Sequence, residues 1–151
     1  MHHETEIPNS MRTPTTLLKI SLSLLCGIAV LPFITSCQES LEKRAAREAK
    51  EYTQKSCPTP ERDYTIIDSL GFDLSTHTFI YYYTLTGTAD NASGIEGHEG
   101  ELHDVLIRAV RNNTSMKRYK EEGYSFRYVY RSQKNKNQIL YDTTITAEEY
   151  R

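Results

Sequence analysis

The sequence carries no surplus of positive charge. Eighteen Lys and Arg stand against twenty Asp and Glu, a formal net charge of −2. A general polyanion binder presents a strongly basic face, so nucleic acid is not an expected partner. Cysteine is scarce, and three in 151 residues cannot staple a disulfide scaffold. Glycine and proline, seven and five, are too few for a low-complexity or collagen-like chain. A Gly-x-Ser-x-Gly elbow, a phosphate-binding loop and a dinucleotide fingerprint are all missing. No spacing sets two carboxylates across a cleft. A hydrophobic content of 38% is enough for one small core.

What is present is unevenly spread. Residues 1–36 hold 16 hydrophobic residues, four charges and no tyrosine, whereas all 11 tyrosines lie from Tyr52 onward. Arg12 and Lys19 make a positive start, followed by the uncharged apolar stretch Ile20–Ile34, 15 residues long. A bilayer-spanning helix needs about 20 such residues, while a secretory signal uses about 7–15. Small residues, Thr35 and Ser36, come next, and then Cys37. Ile34-Thr35-Ser36-Cys37 resembles the lipobox of bacterial lipoproteins. That resemblance implies diacylglyceryl transfer to the Cys37 thiol, cleavage between Ser36 and Cys37, and acylation of the new amino terminus. One acyl chain holds a protein only marginally, at about 0.8 kcal/mol per buried methylene, whereas two or three anchor it durably. Gln38, in place of an aspartate, implies an outer-membrane destination. Residues 1–36 are thus expected to be a signal peptide, with Met11 as an alternative start and Cys26 discarded.

Residues 37–151 are expected to form a single α+β domain. Ser40 or Gln38 caps a helix to about Ser56, with Leu41, Ala45, Ala49 and Tyr52 as its apolar stripe. Cys57-Pro58-Thr59-Pro60 ends it, because proline lacks an amide donor. Tyr64–Leu70 alternates as a strand. His77–Thr86 sets Phe79, Tyr81, Tyr83 and Leu85 on one face and Ile80, Tyr82 and Thr84 on the other, the pattern of a central strand. An acidic, glycine-rich loop, Gly87–Gly100, leads to a helix over Glu101–Asn112. Its Leu102, Val105, Leu106, Ala109 and Val110 have the spacing of a face packed on a sheet. A shorter helix, Ser115–Glu122, ends at Gly123. Tyr124–Arg131 and Ile139–Ile145 are two further strands, and Thr146-Ala147-Glu148-Glu149 resembles a capping box. The order α-β-β-α-(α)-β-β predicts a four-stranded antiparallel sheet with the N-terminal and central helices on one face.

Chemistry is hard to find in this pattern. Cys57, followed by proline and linked to no histidine by any motif, reads as a small buried hydrophobe at a helix–strand corner. His98 and His103 are five apart, where a zincin helix needs an interval of four, and Glu96, Glu101 and Asp104 read as a solvated acidic helix start. His77 sits at a strand start, as a surface or edge residue. The remaining signal is aromatic and cationic. By parity Tyr82, Arg127 and Arg131 face away from the core, and Asp142 joins them from the last strand. Tyr and Arg are enriched at binding hot spots, so these four residues form a candidate recognition face.

The arrangement looks like the cystatin-like or NTF2-like class of sheet-on-helix domains. Cys57-Pro58 together with Tyr124-Ser-Phe-Arg-Tyr-Val-Tyr130 resembles small bacterial lipoprotein domains of unknown function, over about Tyr52–Ile145; this resemblance brings no catalytic residues. The expectation is a lipid-anchored envelope lipoprotein, non-enzymatic, carrying a small binding or scaffolding module with no cofactor and no metal. One partner is the membrane, through lipid on Cys37; the other is a protein or a glycan. An NTF2-like enzyme is the alternative, and it would bury a hydrogen-bonded titratable group in a cone-shaped pocket. A cystatin-like inhibitor is weaker, since no Gln-x-Val-x-Gly loop occurs.

Overall fold

The computed structural model describes residues 39–151. Ser36 and Cys37, with Met11 and Cys26, lie outside the described residues.

The first helix, α1 (Leu41–Ser56), starts at Ser40, whose side chain accepts from the Lys43 amide at 3.4 Å. Arg47 forks between Glu39 and Glu51 on its exposed side. On the inner side Ala45 and Ala49 are 0% and 1% exposed, and their small size lets the helix lie close against the sheet. Thr53 hydrogen-bonds both backbone groups of Leu70, donating to the carbonyl at 2.9 Å and accepting from the amide at 2.8 Å. Thr59 adds bonds to the amide and carbonyl of Ile67. These contacts close part of an edge that would otherwise be open to further strand pairing.

Four strands follow, β1 (Thr65–Asp73), β2 (Thr78–Leu85), β3 (Ser125–Ser132) and β4 (Ile139–Ile145), arranged in the order β1-β2-β3-β4. The α+β class and the four-stranded sheet are as the sequence predicts, and both hairpins are antiparallel. The central pair differs: β2 and β3 run parallel, from Thr78 beside Ser125 to Leu85 beside Ser132. A parallel neighbour requires a crossover of a dozen or more residues. The segment carrying α2 (Glu99–Asn112) and α3 (Lys117–Glu121) supplies it. A last short helix, α4 (Ala147–Tyr150), opens with the expected capping box at Thr146 and Glu149.

Two bulges shift the alternation that the sequence suggests. In β1 the register slips between Ile67 and Ser69, so Ile66 pairs with outward Thr84 while Ile67 and Leu70 face inward beside Tyr83 and Tyr81. In β4 the slip between Tyr141 and Ile139 moves Ile139 to the outer face beside Arg131, where it is 51% exposed. The inward residues Leu70, Phe79, Phe126, Tyr128 and Ile145 pack with Ala45, Ala49, Leu106 and Val110 into one core. Here the expected α2 stripe divides. Leu106 and Val110 are buried, but Val105 is 50% exposed and Ala109 is exposed too, so half of that face meets no sheet.

Candidate recognition surfaces

The inner face of the central strands is a row of stacked phenols. Tyr81 lies against Tyr128 at 5.2 Å between centroids and Tyr83 against Tyr130 at 4.8 Å, and Tyr141 extends the row from Tyr130 at 6.2 Å. Parallel pairing of β2 with β3 creates this stack, because it sets Tyr81 beside Tyr128 and Tyr83 beside Tyr130 in register. Burial pushes the Tyr83 hydroxyl up to about 12 and raises those of Tyr81, Tyr128 and Tyr130 as well. All four stay protonated and uncharged near neutral pH.

At one end of this row a cleft of about 380 Å³ opens between the sheet and α2. Tyr130 and Tyr141 line it from the sheet, Leu102, Val105 and Leu106 from α2, and Ile95 from the preceding loop. Its surface is almost wholly apolar, and among the described residues no carboxylate lines it. Among the described residues one imidazole lies in the lining, that of His98, 60% exposed and 3.4 Å from Glu101, itself 83% exposed. A second cleft, of about 450 Å³, adjoins at Thr65 and is more polar; Tyr52, Tyr83, Glu61, Arg62 and Asp63 help to line it. Sequence reasoning placed Val105 in the core and overlooked the first cleft. The available signal was the angular offset of Leu102, Val105 and Ala109 from Leu106 and Val110 around the helix.

The opposite face gathers the four residues singled out from the sequence. Tyr82, Val129 and Asp142 stand in one cross-strand row, with Arg127 and Arg131 on either side in β3. Arg127 forks onto Asp142, donating from Nε at 2.9 Å and Nη2 at 2.6 Å. That carboxylate holds the guanidinium above its ordinary pKa. Arg131 lies over the Tyr82 ring at 5.3 Å, within cation–π range. Val129, amid these side chains, is 2% exposed. Both arginines are therefore already engaged within the sheet.

The histidines do not combine. His98 stands at the start of α2, whereas His103 points to the sheet, with Nδ1 at 2.8 Å from Thr143 Oγ1 and Nε2 donating to Glu149 Oε1 at 2.6 Å. His77 is exposed in the β1–β2 turn at φ +50° and stacks on Tyr124 at 5.1 Å. Among the described residues no group of three or more His, Cys, Asp or Glu converges as a metal site would. Cys57 is half-buried at the end of α1. Desolvation, and then Asp68, raise its thiol pKa, away from the reactive thiolate.

A family model described as a domain of unknown function, DUF8479, matches residues 40–141, from the cap of α1 to the middle of β4. The chain belongs to this family. Three solved structures share the fold of this DUF8479 domain. A Pseudomonas aeruginosa protein inferred to be secreted is 14% identical with a TM-score of 0.58, over 75% of this chain and 99% of its own. The type II secretion pilotin EpsS of Vibrio vulnificus is 14% identical with a TM-score of 0.55, over 73% and 91%. The type II secretion pilotin AspS of Vibrio cholerae is 18% identical with a TM-score of 0.52, over 72% and 90%. At these identities the likeness is one of fold. No curated protein matches the chain by sequence.

Proposed function

We propose that this chain is a non-enzymatic envelope lipoprotein, anchored by acyl chains on Cys37, whose domain holds part of a protein partner in the cleft beside α2. The cleft carries this reading: it is concave, apolar and framed by aromatic and aliphatic side chains, the lining that recognition pockets share. Two further features support it. The N-terminal segment reads as a lipobox leader, and two of the proteins with this fold are named as pilotins of type II secretion systems, which favours service to an envelope secretion apparatus over catalysis. An NTF2-like enzyme finds no support in the cleft: among the described residues its lining holds no carboxylate, and its imidazole sits at an exposed rim. Tyr82, Arg127, Arg131 and Asp142 form a lesser contact surface, since recruiting either arginine would first break an internal contact.

Two measurements test the reading. A photo-crosslinking side chain at Val105, in intact envelopes, should capture a specific protein that the same group at exposed Lys50 on α1 does not. Equal patterns from both positions would refute the cleft assignment. Metabolic labelling with a radioactive fatty acid should mark the wild-type chain and not Cys37→Ser, which should accumulate as an unprocessed precursor; label on the variant would refute the anchor.

A further inference from the structure

The cleft lining is apolar, but the chain segment that supplies one of its walls is rich in acidic residues. From Gly87 to Ile107 the chain holds Asp90, Glu96, Glu99, Glu101 and Asp104 and neither Lys nor Arg. Asp90 is buried and accepts from the Lys134 amide at 2.9 Å. The other four are exposed, and they occupy the loop and first turns of the helix that supplies Ile95, Leu102 and Val105 to the cleft. Of the two histidines in this segment, His98 lies beside Glu101, while His103 is turned to Thr143 and Glu149. An apolar slot with exposed carboxylates on the segment beside it attracts apolar groups carried between positive charges, because such charges steer and orient what the slot buries.

On the basis of the cleft reading above, we infer that the occupant is a linear segment of the protein partner in which one or more aliphatic or aromatic anchors are flanked by Lys or Arg. The anchors lie against Leu102, Val105, Tyr130 and Tyr141. The flanking cations face Glu101, which reaches His98 of the cleft lining at 3.4 Å, and Glu96 and Glu99, which flank the lining residues Ile95 and His98 in the chain. The apolar contacts supply affinity, and the rim selects the sign of the charge next to the anchor.

A selection from random peptides tests this without presupposing the sequence of the partner. The probe is a phage-displayed library of random dodecapeptides, panned against the full chain extracted from envelopes and held in phosphatidylcholine nanodiscs, with empty nanodiscs as subtraction. Wild-type protein should enrich Leu, Ile, Val or Phe next to Lys or Arg. Raising the salt from low to physiological ionic strength should weaken the selected peptides several-fold, as screening of exposed charges requires. The double variant Glu99→Lys, Glu101→Lys changes only exposed side chains and should shift the enriched flanks toward Asp and Glu, with the anchors retained. Val105→Asp should abolish the enrichment. A selection that depends on Val105 but shows no bias in flanking charge, or the same bias with the lysine variant, would overturn this inference and leave the cleft reading standing. An empty selection, or one unchanged by Val105→Asp, would overturn both. A lipid retained in the cleft and lost from Val105→Asp in native mass spectrometry would replace the peptide with an acyl chain.

Discussion

On α2, Leu106 is 9% exposed and its chain neighbour Val105 is 50% exposed. The first belongs to the core cluster with Phe126 and Ile145 and also meets the cleft, while the second only borders the cleft. Their substitutions should therefore differ in their effect on folding. Leu106→Ala should cost roughly 2–4 kcal/mol, the transfer and cavity terms of a buried leucine. Val105→Asp should stay within about 0.5 kcal/mol, as exposed positions do. Urea denaturation followed by circular dichroism reads both, and similar losses for the two would mean that Val105 is core. The sequence marks this distinction only as the angular offset of Val105 from Leu106 around the helix. Periodicity shows that Leu102, Val105, Leu106, Ala109 and Val110 share one side of a helix, but how much of that side another element covers depends on packing between distant segments. The outer-face residues were easier to place: in β3 strict alternation put Arg127 and Arg131 opposite Phe126, Tyr128 and Tyr130, and no bulge interrupts β2 or β3. What alternation did not reveal was that Asp142 and Tyr82 already occupy the two guanidinium groups.

Among the elements, the least expected feature is the clamp that joins α2, β4 and α4. His103 reaches Thr143 on β4 and Glu149 on α4, while Arg111, also on α2, donates to the carbonyls of Tyr150 and Glu149 at 3.2 and 2.9 Å. A four-residue helix has little stability of its own, so these bonds hold it in place. The Thr146 amide, and then the His103 ring, keep the Glu149 carboxyl below its ordinary value of 4.5. A carboxylate depressed by folding stabilises the native state fully above its unfolded pKa, and that contribution is lost as pH falls through the lower folded value. Glu149→Gln should therefore be less stable than wild type at pH 7. The gap between their urea midpoints should close as pH drops below about 4.5. A gap constant from neutral to strongly acid pH would show that Glu149 acts through shape alone. The comparison must be made as a difference, because Asp73, Asp90 and Glu51 are depressed too and impose an acid dependence shared by both proteins. The strands, α1 and the capping box were legible because each rests on spacing within a short segment. The parallel β2–β3 pairing and the two bulges were not, since register between strands is set by partners distant in the chain.

For the molecule as a whole, the proposed anchor at Cys37 and the domain make separate predictions. Among the described residues, the first side chains packed on the core are Leu41 and Ala45. Four residue steps link Cys37 to Leu41, a reach of at most about 14 Å when extended. Lipid on Cys37 would thus hold the domain against the bilayer without taking part in its packing. Inserting twenty Gly and Ser residues between Gln38 and Glu39 should leave the melting temperature within about 2 °C of wild type in the same detergent, because a domain of this size shifts by roughly 4–8 °C per kcal/mol. The same insertion raises the root-mean-square reach to about 25 Å and dilutes the cleft relative to any site fixed at the membrane surface. The yield of the Val105 adduct in envelopes should fall accordingly, as effective concentration does with linker length. A large drop in melting temperature would show that the segment before α1 contributes to folding. An undiminished adduct with unchanged melting would place the partner segment away from the membrane surface, free to reach the cleft wherever the domain is carried.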